Sequence, residues 1–160
     1  MEEVLRKYSS MVYRIAFSRT KSSFEAEDIL QDVFLRYIKS KIKFADGEHL
    51  KAWLIKVTIN CSKTRLASVW FRRIVELTEN IVSAHKDTTI CELKEKSQVY
   101  FAVLELPTKY RTVIHLFYYE DLSIKQISEL LGKNESTIKS QLFRARSILK
   151  EKLKGVDFDV

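Results

Sequence analysis

The stretch SIKQISELLGKNESTIKSQLFRARSILK, residues 123–150, reads as two helices and the turn between them. Ser123 followed three residues later by Gln126 is the pattern of a capping box, in which each side chain satisfies a backbone amide of the other. Ile127, Leu130 and Leu131 continue the first helix on one apolar side. Gly132-Lys133-Asn134 turns the chain, and Asn134 is placed to cap the second helix. At about 100° per residue, Ile138, Leu142, Ala145, Leu149 and Leu153 then fall on one stripe, the buried side of that helix. Lys139, Ser140, Phe143, Ser147, Lys150 and Lys154 lie opposite, with Arg144 and Arg146 on the flanks. Two helices joined by a tight glycine turn, the second one basic, form the helix-turn-helix pattern, whose second helix lies in the major groove of DNA. A phenylalanine inside a basic face then has two readings. It packs on a thymine methyl in the groove, or it packs on another part of its own domain.

The rest of the chain extends this helical reading. Of 160 residues only three are glycine and one is proline, and 46% are apolar. Gly47, Pro107, Gly132 and Gly155 each separate periodic segments, and no long stretch alternates with period two. The expected fold class is all-α, with two small helical domains joined by a flexible linker. The net charge of +7 is concentrated: residues 1–66 hold 13 basic and 8 acidic residues, and residues 136–154 hold 6 and 1. Basic blocks on separate segments favour a polyanionic partner. Cys61 and Cys91 lack metal-ligand spacing, and His49, His85 and His115 are scattered. No metal, no cofactor and a reducing compartment are expected. With a charged start and no apolar run of about 18 residues, neither a signal peptide nor membrane insertion is expected, and the expected location is cytoplasmic.

A first helix is expected over Glu2–Arg19, through Val4, Leu5, Tyr8, Val12, Ile15 and Ala16. Ser22 or Ser23 caps a second, with Glu25, Glu27 and Asp28 in its first turns and an apolar set of Phe24, Ile29, Leu30, Val33, Phe34, Tyr37 and Ile38. After the loop KIKFADGEH, a third helix is expected over Glu48–Ala67, through Leu50, Trp53, Leu54, Val57 and Cys61. The expected domains are 1–67 and 91–155. Residues 68–90, of mixed charge and without a clean stripe, are the expected linker, extending the third helix briefly at most. In the second domain, Leu93, Val99, Tyr100, Val103 and Leu104 form one helix, and Pro107 opens the next through Tyr110, Val113, Ile114, Leu116 and Phe117.

Four stretches occur in order: Glu27-Asp-Ile-Leu-Gln-Asp-Val-Phe34, Trp53-Leu-Ile-Lys-Val-Thr-Ile-Asn60, Leu106-Pro-Thr-Lys-Tyr-Arg111 and Phe143-Arg-Ala-Arg146. Together they resemble bacterial RNA polymerase sigma factors of the extracytoplasmic-function (ECF) group, the small two-domain members of the sigma-70 family. The resemblance covers about residues 4–66 and 92–153. It implies a promoter-specificity subunit without catalytic residues, with region 2 at the N-terminal end and region 4 at the C-terminal end. It implies core RNA polymerase as partner, through the beta-prime coiled coil and the beta flap, together with promoter DNA and an anti-sigma factor.

Carried over by position, the resemblance places Asp28, Gln31, Asp32 and Phe34 on the polymerase-binding face, where acidic and amide groups suit a partner helix bearing arginine. Phe34 is equally readable as core. Phe44, Asp46, Gly47, Lys56, Asn60 and Lys63 fall where the family captures the melted minus-ten strand. An amide such as Asn60 offers donors and acceptors to a base edge, and the lysines suit phosphates. Trp53, at apolar spacing, reads as core. Ser136, Lys139, Ser140, Phe143, Arg144, Arg146 and Lys150 fall on the minus-thirty-five reading helix. Lys139 and Gln141 stand where the family often has arginine, and Thr64 where relatives often carry an acid. A lysine offers a point charge rather than a bidentate fork.

The alternative is a DNA-binding regulator that uses the helix-turn-helix without joining polymerase. A nuclease would need converging carboxylates or a nucleophile–base pair, and Asp28 and Asp32 are the only acids so spaced.

Overall fold

The computed structural model describes the backbone of residues 1–77 and 98–154, and the side chains of 1–68 and 98–154. The chain divides into two compact units, Met1–Thr88 and Thr89–Val160. All regular structure among the described residues is helical. No described helix is long and apolar enough to cross a membrane.

The first unit contains α1 (Glu2–Thr20), α2 (Ser23–Lys39) and α3 (Gly47–Leu77), each packed on the other two. The α1 period closes as expected: Tyr8, Met11, Val12, Ile15 and Ala16 are buried. Lys21 ends α1 in the left-handed region and returns its amide to the Phe17 carbonyl. One residue on, Ser22 caps α2 by accepting from the Glu25 amide. Ala26, Ile29, Val33 and Phe34 of α2, and Leu54, Ile55 and Ile59 of α3, complete the core. Arg19 is buried, and its Nε donates to Ser62 Oγ at 2.8 Å, tying α1 to α3. Cys61 is also buried, and burial pushes its thiol pKa up, as suits a core group. Cys91 lies outside the described residues.

Two expectations for this unit need correction. Helix α3 does not end at Ala67; it runs to Leu77, ten residues into the expected linker. No glycine or proline occurs between Gly47 and Pro107, so nothing in the sequence breaks the helix at 67. The rest of the expected linker, from 78 on, lies outside the described residues. Second, Phe24 and Ile38 belong to the expected apolar set of α2, yet both are exposed, as is Leu35. At about 100° per residue they lie on the side of α2 away from Ile29 and Val33, so the core-facing stripe cannot include them.

The second unit contains α4 (Gln98–Leu104), α5 (Thr108–Ile114) continuing into a π-helical turn (His115–Tyr119), α6 (Ile124–Leu131) and α7 (Glu135–Lys152). Its core is Val103, Leu106, Val113, Ile114, Leu116, Ile127, Ile138, Leu142, Ala145 and Leu153. Arg111 explains the Leu106–Arg111 motif physically. Pro107 starts α5, and the buried Arg111 guanidinium reaches back to donate to the carbonyls of Leu104 at 3.1 Å and Leu106 at 2.8 Å. It thereby closes the C-terminal end of α4, where a cation is favoured. His115 Nε2 and Glu120 Oε1 pair at 3.2 Å in the interior, across the π-turn.

The helix-turn-helix forms as read. The capping box is complete, with Gln126 N–H donating to Ser123 Oγ and Ser123 N–H to Gln126 Oε1. Gly132 sits at φ 64°, where a side chain would be strained. Asn134 stands at the N-cap of α7, but its side chain makes no capping bond.

Candidate nucleic-acid interface

The basic helix answers the question about Phe143. The residue is 70% exposed, so it is no part of the core formed by the described residues of its unit. Ser136, Lys139, Ser140, Arg144 and Lys150 are exposed around it. Ser136, Ser140 and Arg144 also line an open polar groove completed by Thr137 and Gln141 and, from α5, by Lys109 and Tyr110. The Arg144 guanidinium beside Tyr110 holds that phenol below its ordinary pKa. Sequence reading missed Lys109 and Tyr110 as neighbours of α7; they sit in the Leu106–Arg111 motif, but nothing local shows that α5 packs beside α7. Arg146 stands apart from the others. Its Nε donates to the Tyr118 hydroxyl at 2.7 Å, and its guanidinium lies 5.6 and 5.5 Å from the ring centres of Phe117 and Tyr118. It anchors α7 to the π-turn, a cation on aromatic faces.

In the first unit, His49, Trp53, Lys56, Asn60 and Lys63 share one face of α3, within an arc of about 80° and a length of about 21 Å. Lys56, Asn60 and Lys63 are exposed. Phe44 folds back over this strip. Its ring lies 5.6 Å from Trp53, 6.0 Å from Tyr37 and 5.2 Å edge-on from His49. Trp53 is half-buried in this aromatic group rather than fully in the core.

Asp46 and Gly47 also have parts in the fold itself. Asp46 Oδ1 accepts the His49 amide at 2.8 Å, which makes it the cap of α3. Gly47 is the first residue of α3 and has no positive φ, and a Cβ there would meet only the Tyr8 hydroxyl at 3.5 Å. Glycine is therefore not required by a tight turn at this position; its carbonyl accepts from Tyr8 Oη at 3.4 Å.

The acidic residues of α2 are the larger surprise. Glu25, Asp28 and Asp32 recur at i, i+3 and i+7 and face α3, where one guanidinium meets all three. Arg65 Nη1 donates to Glu25 at 3.4 Å and Asp28 at 3.1 Å, and Nη2 donates to Asp32 at 3.2 Å. Exposure of the acid side chains rises outward, from 11% at Glu25 through 33% to 44% at Asp32. Burial alone would lower the Arg65 pKa, but the bond to Asp32 and the charges of Asp28 and Glu25 outweigh it and raise it. Gln31 is exposed on the outer side of α2, on the same face as Phe24, Leu35 and Ile38. Phe34 is core. The outward face of α2 thus carries Phe24, Leu35 and Ile38 beside Gln31 and the exposed Glu27, with the Arg65-held acids along its edge. The expected apolar set of α2 includes Phe24 and Ile38 because it sorts apolar residues without weighing their angle on the helix.

Comparison with known proteins shows the family to which both units belong. Residues 4–72 match the model of Sigma-70 region 2, and residues 96–149 that of Sigma-70, region 4. The chain is 31% identical to the ECF RNA polymerase sigma factor SigM of Bacillus subtilis (strain 168) over 157 residues, covering 94% of this chain and 93% of that one. It is 30% identical to RNA polymerase sigma factor SigV of the same organism, covering 91% and 86%. Among solved structures, the fold resembles the sigma factor RpoE from Bartonella quintana, in complex with the anti-sigma factor NepR, with a TM-score of 0.70 at 21% identity over 98% of both chains. It also resembles CnrH, in complex with the cytosolic domain of CnrY, with a TM-score of 0.67 at 17% identity over 98% of this chain and 88% of that one. Two helical units in this order, matched by both region models, place the chain in the sigma-70 family, among the ECF RNA polymerase sigma factors.

Proposed function

We propose that the two units divide promoter recognition between them. The first reads the melted minus-ten strand with Phe44 and, along α3, with Lys56, Asn60 and Lys63. The second reads the minus-thirty-five duplex with Ser136, Lys139, Ser140, Phe143 and Arg144. The outer face of α2, with Gln31 among Leu35 and Ile38 and the acids at its edge, docks on the coiled coil of the beta-prime subunit, and the second unit engages the beta flap. An anti-sigma factor, the kind of partner held in the similar RpoE structure, keeps the chain inactive by covering these surfaces.

One observation carries this reading: a large aromatic side chain stands in solvent in the middle of a cationic helix face. Exposed apolar side chains among charges are poorly used in water and well used against thymine methyls and sugars. Lys139, Ser140 and Arg144 then supply phosphate contacts and base-edge bonds around it. On α2, the exposed apolar residues beside Gln31 make the same argument for a protein partner.

Transcription by reconstituted holoenzyme from a randomised promoter library tests the reading. Phe143→Ala with Arg144→Ala is expected to remove selection at the upstream element while the melting temperature stays within a few degrees. Gln31→Ala or Asp32→Lys is expected to abolish co-purification with core polymerase. A free chain that binds a duplex specifically and ignores polymerase would instead make this a regulator acting on its own.

A further inference from the structure

The turn that enters α3 is built more firmly than its composition suggests. Residues Lys41–Gly47 include mostly exposed side chains, and Ile42 itself is exposed. Such a segment has little apolar burial to order it. Yet it is pinned at four points: the Phe44 ring against Trp53 and Tyr37, the Gly47 carbonyl on Tyr8 Oη, the Asp46 carboxylate on the His49 amide, and the Ala45 amide donating to His49 Nδ1 at 3.1 Å. The last pair of bonds resembles a capping box shifted by one residue. Asp46 caps the third helical residue, and that residue's side chain returns to the amide just before the cap. Histidine does here what glutamate or glutamine does in the usual box. The same ring meets the edge of Phe44 at 5.2 Å. His49 therefore holds both the backbone of the turn and the aromatic side chain that leads it.

We propose that His49 is a positioning residue for promoter reading: its Nδ1 acceptor keeps the Phe44–Gly47 turn in the shape that receives an unpaired base of the melted strand. The inference rests on reading the α3 strip as the minus-ten site. His49 lies on that strip's face, at the end opposite Lys63. With the turn already ordered in the free chain, strand capture need not fix the backbone of these residues, and affinity gains by that difference. Without the acceptor, the Ala45 amide turns to water and the Phe44 ring loses one wall of its box.

The test uses holoenzyme and a fork-junction DNA, double-stranded upstream and single-stranded through the minus-ten region, recovered by the unaltered holoenzyme from a randomised library. His49→Ala is expected to weaken fork binding about three- to tenfold, the effect of one lost hydrogen bond. His49→Gln, which restores an acceptor of the length used in capping boxes, is expected to bind within about twofold of the unaltered protein. Both variants should hold core polymerase equally. Equal loss in the Ala and Gln variants overturns the positioning role, because the acceptor is then not what matters. Unchanged binding in His49→Ala, with a clear loss in Asn60→Ala, overturns it while leaving the minus-ten reading intact. Unchanged binding in both His49→Ala and Asn60→Ala overturns the minus-ten reading itself.

Discussion

The polar face of α7 and the polar edge of α2 look alike in the sequence and differ in the fold. On α7, Lys139, Ser140, Phe143 and Arg144 stand in solvent, while Ile138, Leu142, Ala145 and Leu153 of the stripe are buried and Leu149 is half-buried. On α2, Asp28 and Asp32 have equally polar spacing, yet both are bonded to Arg65 of α3. Each helix has one apolar stripe, and that stripe tells which side turns inward. It does not tell how far a neighbouring helix wraps round the flank. Helix α2 lies against both α1 and α3, so its polar edge meets a partner within the unit. The lesson is that a charged residue on a helical flank meets an outside ligand already paired where a neighbouring helix carries its counterion.

Breaking the two halves of each helix separately sharpens this contrast, and the buried stripes should give the largest effects. Leu142→Ala removes a sealed side chain from α7 and is expected to cost about 2–5 kcal/mol, read by chemical denaturation. Arg65→Met comes next. It leaves Glu25, Asp28 and Asp32 facing one another without a cation, with Glu25 nearly buried, and an expected loss of about 1–3 kcal/mol. If stability is unchanged, the three ion pairs are surface ornaments and the contrast between α2 and α7 fails. Gly132→Ala should cost about 1–2 kcal/mol, because its φ of 64° is one that a side chain resists. Gly47→Ala should be neutral or stabilising by up to about 1 kcal/mol, since it replaces a glycine inside a helix with room for the new methyl. Smallest of all, Lys139→Ala and Arg144→Ala should each change stability by no more than about 0.5 kcal/mol while impairing promoter use.

Short-range chemistry is legible in the sequence, and long-range chemistry is not. Ser123, Gln126 and Gly132 carry their own explanation within ten residues, and the turn they define is the one observed. The exposed state of Phe143 can be posed as a question from the helical period but is answered only by the fold. Arg65 gives no signal, and Arg111 stands in a motif that does not reveal its partners. The first meets acids 33 to 40 residues away, and the second reaches a carbonyl seven residues back across a proline turn. Arg146 groups with the minus-thirty-five residues in the sequence, and its bond to Tyr118 of the π-turn has no local signal there. Gly47 reads as a separator in the loop before the third helix, and it is the first residue of that helix instead.

The central claim is that α3 and α7 each present an exposed reading face to a different part of one promoter. Site-specific photocrosslinking in the holoenzyme tests it most directly, with the reactive group placed at Phe143 in one preparation and at Asn60 in another, on a promoter selected from the library. The account expects the group at 143 to mark the upstream duplex element and the group at 60 to mark the melted strand downstream. No crosslink to DNA from either position, or crosslinks from both to the same element, would contradict it.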